Sequence, residues 1–234
     1  MELYYTPDLD LNDPELPAEE AVHCIRVLRR KIGDRIHVTD GKGNIYVAEI
    51  AVATQKKCGL LIQSSFYEKI DPFYIHIAIA PTKNTDRIEW FVEKAVELGI
   101  HEISFIQCQF SERNILKTQR IHTKAISAVK QSVKARVPII NEMKPFKLFL
   151  DELNEKEVDQ RFICHLHETA KPLINAAKPK TKSLVLIGPE GDFSEAELAT
   201  ALEAGFTSVS LGKSRLRTET AGLAACMTLQ VLNT

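Results

Sequence analysis

From residue 71 onward the chain alternates between two hydrophobic patterns. Short apolar runs occur at Phe73–Ala80, Glu102–Gln109, Arg161–Leu166, Leu184–Ile187 and Ser208–Leu211. They are too short for helices and predict strands; the unbroken Leu184–Ile187 suits a strand buried on both faces, as in a parallel sheet. Between them, apolar residues recur every three or four positions. Ile88, Phe91, Val92, Ala95, Val96 and Leu98 form one helical stripe that ends at Gly99, and the spacing marks them as core. Further helices are predicted over about Thr118–Lys134, over Phe146–Leu153, from Ser194 onward, and from Glu219 to about Leu232. The alternation of strand and helix predicts an α/β domain with a mostly parallel sheet. Pro172–Lys182 reads as a basic loop.

Residues 1 to about 70 follow a different pattern. A short helix opens at Leu16-Pro17-Ala18 and runs to Leu28. Arg35–Thr39, Ile45–Ala51 and Cys58–Ser65 are strands, and the turn residues Asp40-Gly41-Lys42-Gly43-Asn44 join two of them as a hairpin. Short strands with close turns fit a small β-barrel. Ile70-Asp71-Pro72 marks a boundary, which divides the chain into domains 1–71 and 72–234.

Two late loops carry the candidate chemistry. Gly188-Pro189 stops the strand at Ile187, Gly191 adds a second permissive point, and Ser194 with Glu197 forms a capping box for the next helix. Gly212 breaks the strand at Leu211, and Thr218 can cap the last helix. Such strand–glycine–helix junctions expose backbone N–H groups at the carboxyl edge of a sheet, where open α/β folds bind ligands. The glycine spacing matches neither a Gly-x-x-x-x-Gly-Lys loop nor a Gly-x-Gly-x-x-Gly fingerprint. Lys213, Arg215 and Arg217 place three cations in five residues. Taken alone they suit a solvated basic loop and an anionic partner equally.

Composition narrows the picture. The 234 residues are 44% hydrophobic and 26% charged, as in an ordinary soluble globular protein. No apolar run spans a bilayer and Met1–Asp10 has no signal pattern, which points to the cytoplasm and away from a membrane. The five scattered cysteines suggest reduced thiols, and no metal-ligand spacing is present. Net charge is −1, but the first twenty residues hold seven acids and no base. Taking those seven from the 31 acids leaves 24 against 30 bases, a modest basic surface for the remainder.

Ile187-Gly188-Pro189-Glu190-Gly191-Asp192-Phe193-Ser194, followed by Leu211-Gly212-Lys213-Ser214-Arg215-Leu216-Arg217-Thr218-Glu219-Thr220-Ala221, resembles the RsmE family of SPOUT-class methyltransferases. The resemblance extends over nearly the whole chain. His23-Cys24-Ile25-Arg26-Val27-Leu28-Arg29, with Gly33-Asp34 and Asp40-Gly41, resembles the family's PUA-like N-terminal domain. Pro81-Thr82-Lys83, Arg87, Glu89, Glu93-Lys94-Ala95, Ser111-Glu112-Arg113 and Arg136-Val137-Pro138 match it further on. One departure is Lys130-Gln131-Ser132, where the family usually has a glutamate in the first position; this weakens a catalytic role there. The resemblance implies a trefoil-knotted domain, a homodimer, S-adenosylmethionine as cofactor, and methylation of N3 of a uridine in 16S ribosomal RNA within the assembled small subunit.

Residue roles follow from that resemblance. Leu166, His167, Leu186, Gly188, Glu190, Gly191, Leu211, Gly212, Leu216, Arg217 and Thr218 would line the cofactor, Glu190 holding a hydroxyl or the methionine amine. Arg217 is the first choice for stabilising the anion formed when N3 loses its proton, with Arg113 and Arg136 behind it and Glu219 orienting Arg217. Arg26, Arg29, Arg30, Lys83, Arg87 and Arg136 would contact RNA. N3 lies in the Watson–Crick edge, so the base must be unpaired or flipped. Two other readings fit the same residues: an RNA-binding ribosome factor without chemistry, and a methyltransferase acting on another RNA such as transfer RNA.

Overall fold

The structure is a computed structural model that describes residues 2–54, 56–153, 158–165 and 170–234. It divides into two compact units, one of residues 2–70 with 126–137, the other of 71–125 with 138–234.

In the first unit, strands β1 (Leu3–Tyr5), β2 (Arg35–Thr39), β3 (Asn44–Ala53) and β4 (Cys58–Tyr67) form one sheet in the order β1-β2-β3-β4. β1 runs parallel to β2, and the other pairs are antiparallel. The β2–β3 turn falls where the Asp-Gly-Lys-Gly-Asn cluster predicts it. Asp40 Oδ1 accepts from the Lys42 and Asn44 backbone N–H groups at 2.7 and 3.1 Å, and Oδ2 from the Asn44 amide at 2.6 Å. Helix α1 (Ala18–Val22) continues into a π-helical turn over His23–Val27. Tyr4, Leu16, Ala21, Cys24, Ile36, Val38, Ala48, Ile50, Cys58 and Leu60 make the core.

The second unit carries β5 (Tyr74–Ile79), α2 (Thr85–Glu97), β6 (Glu102–Gln107), the start of α3 (Thr118–Ser132), β7 (Ile139–Pro145), α4 (Phe146–Leu153), β8 (Gln160–Cys164), β9 (Lys171–Pro172), α5 (Leu173–Ala176), β10 (Lys182–Ile187), α6 (Glu195–Glu203), β11 (Thr207–Ser210) and α7 (Thr218–Asn233). Among the described residues its seven strands lie in the order β7-β6-β5-β10-β8-β11-β9, and every pairing is parallel. β7, β9 and α5 have no counterpart in the expectation from pattern, and Leu173–Ala176 forms a helical turn inside the predicted loop.

The helices are set by the signals the sequence carries. Asn84 Oδ1 accepts from Asp86 N at 2.9 Å and starts α2; Gly99, at φ +86, ends it. Ser194 and Glu197 form the complete capping box of α6. α7 packs close because residue 222 is glycine: a Cβ there would lie 2.6 Å from the Phe91 ring and 3.0 Å from Ile79. One sheet face is sealed by α4, α6 and the turn before α6 through Phe146, Phe149, Leu150, Phe193 and Ala201 against Ala78, Leu184 and Leu186.

Candidate active site

The parallel strands β8, β10 and β11 end at the same edge of the sheet, and the segments that leave β10 and β11 close around one cleft of about 600 Å³. Gly188, Glu190, Gly191, Leu211, Gly212, Leu216, Arg217 and Thr218 line it, so the two glycine loops meet as expected. Gly212 has φ +119, a backbone region that other residues avoid, and a Cβ there would meet no atom within 4 Å. Gly191 is glycine for space: a Cβ would sit 2.9 Å from that of Phe110.

Several expected residues lie elsewhere. Leu186 is fully buried in the core, because side chains alternate along β10 and it is Ile187 that faces the cleft. Arg113 is not among the lining residues. Its guanidinium donates to the Thr82 carbonyl at 3.0 Å and to the Lys83 carbonyl, so it braces the loop after β5. Glu219 does not meet Arg217. It is 6% exposed, it pairs with Arg87 at 3.8 Å, and its Oε2 has no hydrogen-bond partner among the described residues. Arg87, expected on the RNA surface, lines this cleft. Leu166 and His167 lie outside the described residues.

Glu190 is exposed, and its Oε1 accepts from Lys83 N at 3.3 Å. Lys83 itself pairs with Glu112 at 2.7 Å. Arg215 and Arg217 reach the cleft from an exposed loop, with no recorded ion pair among the described residues. Cys164, His165 and Asp192 line the cleft as well. His165 Nδ1 and Asp192 Oδ2 are 3.0 Å apart. Burial, then the negative charge of Asp192, push the Cys164 thiol well up, which disfavours the thiolate. The only signal for Asp192 was its place inside the glycine motif.

In the first unit, Arg26 and Arg29 are exposed, Arg29 at φ +56, while Arg30 pairs with Glu2 at 2.8 Å. Arg136 is not held out for RNA. Its guanidinium donates to the Lys42 and Glu68 carbonyls at 2.7 and 2.8 Å and lies 5.1 Å from the Tyr67 ring centre. A Cβ at Gly43 would fall 2.3 Å from Arg136 Nη2, so the glycine makes room for that arginine. Among the described residues, no group of three or more His, Cys, Asp or Glu side chains is placed to hold a metal ion.

Residues 69–230 match the model of the RNA methyltransferase domain, and residues 16–62 that of the RNA methyltransferase PUA domain. The chain belongs to the RNA methyltransferase family. Within that family it is 32% identical to the ribosomal RNA small subunit methyltransferase E of Aquifex aeolicus over 187 residues, 77% of this chain and 78% of that one. A crystal structure of a probable rRNA-methyltransferase from Porphyromonas gingivalis superposes with a TM-score of 0.91 at 41% identity, covering 100% of this chain and 98% of the other. The Neisseria gonorrhoeae ribosomal RNA small subunit methyltransferase E, solved bound to S-adenosyl methionine, superposes at 0.86 with 30% identity and coverage of 100% and 98%. Family membership fits the cleft, which sits at the strand ends of the matched domain.

Proposed function

We propose that this chain transfers the methyl group of S-adenosylmethionine to N3 of a uridine in 16S ribosomal RNA. The observation that carries the reading is the single cleft built by both glycine loops, with Arg215 and Arg217 at its wall. A cleft of about 600 Å³ is of the size that holds a nucleoside-sized ligand. The open backbone at Gly212 and the apolar wall of Ile187, Val209 and Leu211 suit an adenosine, and Glu190 suits a hydroxyl or an ammonium. The buried, unpaired Oε2 of Glu219 is a second sign that the region awaits a partner.

When bound, S-adenosylmethionine supplies an electrophilic methyl group on a sulfonium. The chain's own task is to place N3 against it and to manage a proton. The transfer exchanges an N3–H bond for an N3–C bond, so a proton leaves and negative charge spreads onto the O2 and O4 atoms of the ring. Arg217, permanently charged and on the cleft wall, stabilises that charge, and Arg87, tied to Glu219, adds a second guanidinium. The exposed Arg26 and Arg29 of the first unit suit phosphate contacts, which position RNA without reading its sequence. The reading includes a homodimer in the cytoplasm. It is supported by the packed helices α2 and α7, which leave Trp90, Met227 and Val231 exposed. No helix among the described residues is long and apolar enough to cross a membrane.

The test is mass spectrometry of 16S ribosomal RNA from a deletion strain, followed by methyl transfer to its small subunits with purified enzyme. The expected result is loss of one N3-methyluridine, restored by the wild-type chain and slowed by about 10²–10³-fold for Arg217→Ala, the range for losing one transition-state donor. Unchanged N3-methyluridine in the deletion strain overturns the proposal.

A further inference from the structure

Asp192 has φ +66, a left-handed conformation that glycine adopts freely and other residues rarely. A non-glycine held there in a ligand cleft points to work done by its side chain. Both carboxylate oxygens are engaged. Oδ1 accepts from the following Phe193 N–H at 2.8 Å, which closes the turn on itself. Oδ2 lies 3.0 Å from His165 Nδ1. A carboxylate only accepts, so that ring nitrogen carries the proton. His165 directly follows β8, and its backbone N–H donates to the Val209 carbonyl of β11 at 3.2 Å. The contact therefore ties together the ends of three neighbouring strands: β10 through its turn, β8, and β11.

We propose that the Asp192–His165 pair is a latch that holds the Gly188–Asp192 turn against the end of β8 and so preforms the cleft for the methyl donor. This makes Asp192 a positioning residue for cofactor binding, and it rests on the methyl-donor reading above. Two anchors on the far side of the turn are independent of it. Phe193 is 5% exposed in the core, and the Ser194–Glu197 capping box starts α6. Breaking the latch frees the short turn alone and leaves both the sheet and α6 in place. The effect belongs on cofactor affinity, not on folding or on the chemical step.

Calorimetry with S-adenosylmethionine tests this in the full chain. Asp192→Gly removes the carboxylate and relieves the left-handed strain, so its melting temperature is expected not to fall. Its Kd is expected to rise about tenfold or more, the scale of one lost charge-assisted contact. On small subunits the loss is read as a split, with KM for S-adenosylmethionine raised by a larger factor than kcat is lowered. His165→Ala matches it, the double variant binds no more weakly than either, and His165→Asn, whose amide can stand where Nδ1–H stood, restores affinity. A wild-type Kd for Asp192→Gly, or losses that multiply in the double variant, overturns the latch. If the glycine variant does not fold, Asp192→Asn decides: it keeps the Phe193 bond and loses the charge, and an unchanged Kd refutes the proposal. Absence of any binding heat with the wild-type chain would instead sink the methyl-donor reading itself.

Discussion

Replacing Gly212 by alanine isolates the backbone's contribution to the cleft. The residue sits at φ +119, about 60° beyond the left-handed well that other residues can visit. A Cβ would meet nothing within 4 Å, so steric packing contributes nothing. What remains is torsional strain, about 1–3 kcal/mol for a backbone in such a region. Gly212 is exposed, and the free protein can shed the strain by letting the loop move. Binding then has to restore the loop, and the cost shows up in affinity. At about 1.4 kcal/mol per tenfold, the Kd for S-adenosylmethionine should rise about 5- to 150-fold, with little change in melting temperature. Gly205→Ala is the control: its φ is +83, nothing lies within 4 Å of its Cβ, and it ends α6 away from the cleft. That variant should lose about 1 kcal/mol of stability and bind normally. Calorimetric titration beside thermal denaturation reads both quantities. Binding by Gly212→Ala within twofold of wild type would refute the claim that this loop's conformation builds the cleft.

Two other perturbations have worked signs. Glu219→Gln removes a buried charge whose ion pair with Arg87 is long, at 3.8 Å, so denaturant unfolding should show equal or slightly greater stability. Methyl transfer should drop about tenfold or more as Arg87 loses its anchor, and retained kcat would show that the pair is structural. Asp40 sits in the β2–β3 turn, where burial alone would raise its pKa. The bonds from the Asn44 side chain and from the Lys42 and Asn44 N–H groups outweigh that and lower it. A lowered folded-state pKa gives stability that is present above the unfolded value near 4 and is lost as pH falls through the folded one. Asp40→Ala should therefore unfold more easily at pH 7, by about 1–3 kcal/mol, with the gap narrowing below about pH 4; a gap that persists there contradicts the assignment.

The features that could be read in the sequence are those whose cause is local. The capping box of α6 and the breaks at Gly188 and Gly212 depend on a few adjacent residues, and each stands where the pattern places it. β7 was missed because it is an edge strand that carries Asn141, Glu142 and Lys144 and has no unbroken apolar run to mark it. Residues 126–137 join the first unit through bonds to distant partners: Ala135 O accepts from Gly43 N at 3.0 Å and from the Thr39 hydroxyl at 3.0 Å.

The arginines show the limit most clearly. A glycine's role is set by its own φ, so a motif is enough to assign it. An arginine's role is set by whichever carbonyl or carboxylate the fold brings within reach, which no spacing rule contains. Arg113 and Arg136 carry the same charge as Arg217 and stand in equally motif-like settings, yet both are consumed by backbone carbonyls. Arg87 lines the cleft, and its partner there is Glu219, 132 positions later, at the start of α7. The guanidiniums left for chemistry are those the fold does not spend on itself. That subtraction leaves Arg215 and Arg217 at the wall of the cleft, with Arg87 beside them in its 3.8 Å contact with Glu219.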